Sequence, residues 1–152
     1  MLPATAARVP AATADSVNRR IRQEMQDSLA YFAMRPDEIG RRLDELDSEW
    51  DVERVLETNA SALALAGVAL GYAVDRRFLL LPAAVLAFLL QHALLGWCPP
   101  LPVLRRAGVR TAQEIEQERY ALKAMRGDFA SPPPADAPAW DRASGIAQAV
   151  RR

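Results

Sequence analysis

Leu56–Val74 reads LETNASALALAGVALGYAV and Phe78–Trp97 reads FLLLPAAVLAFLLQHALLGW. At ~1.5 Å per residue these two runs span roughly 28 and 30 Å, against a bilayer hydrocarbon core of about 30 Å. Between Thr58 and Leu104 the only Asp, Glu, Lys or Arg residues are Asp75, Arg76 and Arg77. The 152-residue chain is formally neutral with 25% charged residues, so nearly all of its charge lies in the flanks. Apolar residues cover every side of both runs instead of one stripe, as expected of helices solvated by lipid or deeply buried. A buried helical hairpin in a soluble domain is the competing reading. It needs amphipathic surface to wrap both helices, and the rest of the chain supplies about three modest helices, two of them charge-dense. The expected fold is therefore all-α: an integral membrane hairpin of two transmembrane helices, 56–74 and 78–97, with amphipathic helical flanks.

Only Asp75-Arg76-Arg77 joins the two runs, too short for anything but an antiparallel hairpin, so both termini are expected on one side. Arg41, Arg42, Arg54, Arg105, Arg106 and Arg110 flank the runs, against Arg76 and Arg77 in the turn. That asymmetry favours both ends in the cytoplasm.

The flanks have distinct characters. Residues 1–14 mix Ala, Thr and Pro without a sustained apolar run and read as a loose, disordered tail. Across 15–55, Val17, Ile21, Met25, Leu29 and Phe32 recur at helical spacing. Arg35-Pro36 interrupts that helix, and Ile39, Leu43, Leu46 and Trp50 mark a second one. Residues 37–57 hold nine Asp or Glu against three Arg. In 98–129, Cys98-Pro99-Pro100-Leu101-Pro102 is a rigid exit that cannot extend the second span. Thr111-Ala112-Gln113-Glu114 then has the spacing of a capping box opening a helix to about Arg126, closed by Gly127, with Ile115, Leu122, Met125 and Phe129 on one side. Residues 105–126 hold six basic and three acidic side chains, so the acidic and basic flanks are complementary. Residues 130–152 read as a proline-rich disordered tail.

Read as a string, GVALGYAV, FLLL and GWCPPLPVLRRAG resemble the transmembrane domain of the YgaP-like inner-membrane proteins of bacteria, over about residues 52–108. The most specific features are the Gly67–Tyr72 run and Gly96-Trp97-Cys98-Pro99. The resemblance implies a two-span inner-membrane domain that tends to self-associate. In that family the hairpin commonly follows a rhodanese sulfurtransferase domain. Residues 1–51 contain no cysteine, so that activity does not carry over.

Several residues stand out as candidate sites. Gly67 and Gly71 form a small-xxx-small pair that lets a second helix approach closely, either the chain's own second span or a second copy in a homodimer. His92, the only histidine, lies inside a span beside Gln91. Counting back from the turn places these two near Ser61 and Asn59, as an intramembrane polar cluster clamping the hairpin. Cys98, the only cysteine, sits at the expected interface. A thiol relay through it is the alternative to a small interfacial packing residue, and six positions of helix separate it from His92, about 240° around the axis. The sequence contains no phosphate-binding glycine loop, no metal-spaced His or Cys pair and no Ser-His-Asp set, so no catalytic residue, metal or cofactor is expected. Segregated charge and neutrality argue against nucleic acid. The reading is a non-catalytic inner-membrane protein, both termini cytoplasmic, in contact with the lipid bilayer and anchoring or binding a cytoplasmic protein partner through its helical flanks.

Overall fold

The computed structural model describes residues 4–129, 136 and 138–151, and among these every regular element is helical. The α-helices are α1 (Arg8–Ala11), α2 (Asp15–Ala33), α3 (Ile39–Ser48), α4 (Val52–Ala73), α5 (Leu80–Leu95), α6 (Leu101–Arg106), α7 (Ala112–Arg126) and α8 (Ala139–Arg151), with 3-10 turns at Pro36–Glu38 and Arg76–Leu79. The chain divides into two compact units, the first from Met1–Gln23 and Trp50–Ile115, the second from Glu24–Glu49 and Glu116–Arg152.

The hairpin α4–α5 dominates the first unit. Asp51 starts α4 by accepting the Arg54 backbone N–H at 2.7 Å, which satisfies one of the donors a helix leaves free at its start. Asp75 repeats the device at the turn, accepting from the Arg77 N–H at 2.7 Å. Pro82 falls in the first turn of α5, where a missing N–H costs nothing. Gly96 ends α5 at φ 75°, a left-handed conformation that glycine adopts without a Cβ clash. These signals set α4 four residues ahead of the expected start at Leu56, and they shorten the second helix to Leu80–Leu95.

Two helices of this structure are long and apolar enough to cross a membrane. Within their most apolar stretches only 17% and 11% of the residues are buried in the chain itself. Leu65, Leu80 and Tyr72 are 71%, 73% and 96% exposed, so the surfaces that a soluble core would hide face outward.

The open end of the hairpin closes over a small core of Val9, Val52, Leu56, Cys98 and Leu101, with Ala12, Leu104 and Val109 packed against it. Here two expectations are corrected. Residues 1–14 are not a loose tail throughout: α1 forms, and Val9 is buried because its apolar side chain completes the core beneath α4. The proline exit also contains a helix. Pro102 lies in the first turn of α6, where its fixed φ favours helix initiation, so the residues that stop one helix start the next.

A buried guanidinium ties the N-terminal segment to the residues after the hairpin. Arg105, fully buried, donates to both carboxylate oxygens of Glu114 at 2.7 Å, to the Val109 carbonyl at 3.0 Å and to Asn18 Oδ1 at 3.1 Å. Glu114 also completes the expected capping box: Thr111 N–H donates to its carboxylate at 2.8 Å, and its own N–H donates to Thr111 Oγ1 at 3.2 Å. Burial alone would raise the Glu114 carboxyl, but the Arg105 hydrogen bonds and the Thr111 N–H outweigh it and hold it below its ordinary value.

The second unit joins the remainder of α2 and α7 to α3 and α8. Ile39, Leu43 and Leu46 bury one face of α3 as the spacing predicts, whereas Trp50 lies beyond its end. The expected charge pairing between the acidic and basic flanks occurs between Arg119 and Asp47. A stronger contact runs the other way, with Arg42 donating through Nε and Nη2 to fully buried Glu118 at 3.0 and 3.2 Å and Ser28 adding a bond at 2.6 Å. Leu122 is buried, but Met125 and Phe129 are exposed at the far end of the stripe. Residues 130–135, 137 and 152 of the expected disordered tail lie outside the described residues. The rest of that tail is corrected: 139–151 form α8, joined to α7 where buried Lys123 donates to the Val150 carbonyl at 2.7 Å.

Candidate functional site

The polar centre of the hairpin lies at its open end. His92 is 2% exposed, and its Nε2 lies 2.8 Å from Glu53 Oε2, while Glu53 Oε1 accepts from Arg8 Nη2 at 2.8 Å. The three groups come from α5, the first turn of α4 and α1. A carboxylate can only accept, so the ring donates to it through Nε2, which leaves Nδ1 as the other polar atom of the ring. That Nδ1 is buried with no hydrogen-bond partner among the described residues. An unmatched buried polar atom of this kind costs about 1–3 kcal/mol.

Of the expected cluster of Gln91, His92, Ser61 and Asn59, His92 and Asn59 line one cavity, but the hydrogen bonds are not the expected ones. His92 pairs with Glu53 instead, and Asn59 Nδ2 donates to the Val55 carbonyl of its own helix at 2.7 Å. Ser61 is exposed and Gln91 half-buried, and no hydrogen bond among the described residues joins them to His92. The expected register assumed two regular helices meeting at the turn. The 3-10 turn rises about 2.0 Å per residue rather than 1.5 Å, which advances α5 along α4, and the length of the glutamate side chain bridges the rest. Glu53 went unnoticed because it precedes the apolar run. The signal for it was its place on α4 one turn ahead of Leu56.

Gly67 and Gly71 are buried against the chain's own hairpin. A Cβ on Gly67 would lie 2.5 Å from Pro82 Cδ, and one on Gly71 2.6 Å from Leu79 Cδ2. The absence of side chains there is what allows α4 to meet the start of α5.

A cavity of about 430 Å³ opens between α4 and α5 beside the polar centre. Asn59, Ala60 and Leu63 line it from α4, Val85, Phe88 and His92 from α5, and Cys98 closes it. Cys98 is free and 3% exposed. Burial pushes its thiol up from the ordinary value, the Leu101 N–H partly opposes this, and the nearby Glu53 carboxylate adds a smaller upward push. His92 and Cys98 thus share a wall without a hydrogen bond between them, and the environment favours thiol over thiolate. The site can hold an imidazole hydrogen-bonded to a carboxylate and an apolar guest. Among the described residues no group of three or more His, Cys, Asp or Glu is placed to hold a metal ion.

No protein-family model, curated protein or solved structure matches this chain.

Proposed function

We propose that the chain is a non-catalytic, two-span protein of a bacterial inner membrane, with both termini cytoplasmic, that anchors or binds a cytoplasmic protein partner through its helical flanks. The observation that carries this reading is the outward-facing apolar surface of α4 and α5, where long apolar side chains such as Leu65 and Leu80 are exposed along helices long enough to cross a bilayer. The short turn and the arginine asymmetry support the orientation. Kinship with the YgaP-like membrane domains rests on the Gly67–Tyr72 and Gly96–Pro99 strings and belongs to this proposal. Burial of Cys98 and its raised thiol favour packing over a sulfur relay. Close packing of Gly67 and Gly71 within the hairpin leaves a homodimer to form through other faces.

Orientation is tested by placing a cysteine in the turn, Asp75→Cys in a Cys98→Ser background, and treating intact spheroplasts with a membrane-impermeant maleimide. The proposal expects labelling of the turn from outside and none at a cysteine introduced at Ser48 in the same background until the membrane is opened. The reverse pattern overturns it.

A further inference from the structure

Helix α8 is packed inside out. Its apolar residues Trp140, Ala143, Ile146, Ala147 and Val150 share one side, a stripe about 15 Å long at ~1.5 Å per residue. A helix on a water-soluble core buries such a stripe. In α8, Trp140 and Ile146 are 80% and 54% exposed and Val150 is exposed as well, whereas the half-buried residues are Ser144 and Gly145 on the polar side. Lys123 of α7 reaches α8 at the Val150 carbonyl, through its backbone and not through its apolar face. A helix of 13 residues is marginal on its own in water, so a surface that receives the stripe also holds α8 in shape.

Charge and composition select that surface. Residues 139–152 hold Arg142, Arg151 and Arg152 against Asp141, a net of plus two. Tryptophan, with a large apolar ring and one N–H, concentrates where hydrocarbon meets headgroups. An exposed apolar stripe that carries an indole and a net positive charge matches the boundary between anionic headgroups and acyl chains. A protein partner would have to bring an acidic groove of the same length. The hairpin, read as spanning, keeps lipid at high effective concentration because both helical regions belong to one chain. We infer that α8 docks on an anionic phospholipid surface, with Trp140, Ile146 and Val150 as its apolar anchors. The inference rests on the membrane reading above.

The test uses the full chain reconstituted in vesicles, with Trp50→Phe and Trp97→Phe leaving Trp140 as the only indole. The difference between wild type and Trp140→Phe gives the same signal, so the result does not depend on the double variant folding. In vesicles of phosphatidylglycerol and phosphatidylcholine, lipid brominated near the carboxyl end of its chains is expected to quench Trp140 more than lipid brominated near the methyl end, because an interfacial helix sits about 5–10 Å into the boundary of headgroups and chains. In phosphatidylcholine alone the docking equilibrium falls about thirtyfold, roughly fivefold for each net charge, and Trp140 becomes more accessible to acrylamide. Ile146→Asp, at an exposed position, abolishes the lipid quenching. Emission that neither brominated lipid quenches, quenching that is equal without phosphatidylglycerol, or shielding from acrylamide without lipid quenching, as a second copy or another protein would give, overturns the inference. Alkaline extraction of the same vesicles separates the two failures: a chain that stays in the bilayer with Trp140 in water refutes the docking of α8 alone, whereas a chain released into solution refutes the membrane reading.

Discussion

Replacing Gly67 by alanine tests the hairpin at its tightest point. The added methyl would lie 2.5 Å from Pro82 Cδ and 3.2 Å from Leu81 Cβ, whereas carbon atoms pack best at about 3.5–4.0 Å. The proline ring is fixed to the backbone and cannot swing aside, so α4 and α5 must separate. Overpacking of this kind costs about 1–3 kcal/mol, and the better helix propensity of alanine returns up to about 1 kcal/mol, leaving a net loss of about 1–2 kcal/mol. Cys98, buried in the core at the open end of the same unit, reports that loss, because a thiol only 3% exposed is alkylated faster when the unit opens more often. In detergent micelles, under conditions where opening and closing are fast, Gly67→Ala is expected to speed maleimide labelling of Cys98 by about five- to thirtyfold. Gly40→Ala, in α3 of the second unit and where a Cβ meets nothing within 4 Å, does not speed the labelling. An unaltered or slower rate in Gly67→Ala would refute the close packing of α4 on α5.

Three further outcomes follow from the same structure. Val9→Ala removes two buried methyl groups at about 0.8 kcal/mol each, so labelling of Cys98 speeds by roughly an order of magnitude; a silent substitution would remove α1 from the core. In wild type the pH midpoint of Cys98 alkylation lies above that of a free thiol, and Glu53→Gln moves it downward by deleting the carboxylate that opposes the thiolate; an upward shift contradicts the assigned cause. Glu114 has its folded value depressed below the ordinary 4.5, so its contribution is complete above that pH and disappears as the pH falls through the lower folded value. Acid titration of thermal stability should show this loss below about pH 4.5 in wild type and a smaller one in Glu114→Gln, because the unfolded chain takes up the proton before the folded one does.

Much of the architecture was legible because its signals are local. The proline at 36, the capping box at Thr111–Glu114, the glycine after Arg126 and the two apolar runs each act within a few residues, and each marks an element of the fold. What escaped reading depends on partners distant in the chain. Val9 is buried only because Val52, Leu56 and Leu101 leave a place for it, and Arg105, counted among the charges that orient the hairpin, is fully buried in the grip of Glu114 and Asn18. The prolines after Cys98 were read for the helix they end and not for the one they begin. In α8, Trp140, Ala143, Ile146 and Val150 do recur at helical spacing, but the preceding prolines obscured it. For the candidate site, His92 and Cys98 were recognisable as unusual residues, but Glu53 and Arg8 were not. Their alignment depends on the rise of a 3-10 turn and on the docking of α1, neither of which appears in a periodicity.

Alkaline carbonate extraction of membranes from cells expressing the chain, followed by high-speed centrifugation, addresses the hairpin's surroundings most directly. Because α4 and α5 present their apolar side chains outward, the chain should sediment with the membranes and enter solution only with detergent. Recovery of a folded, monodisperse monomer in the detergent-free supernatant would contradict the account.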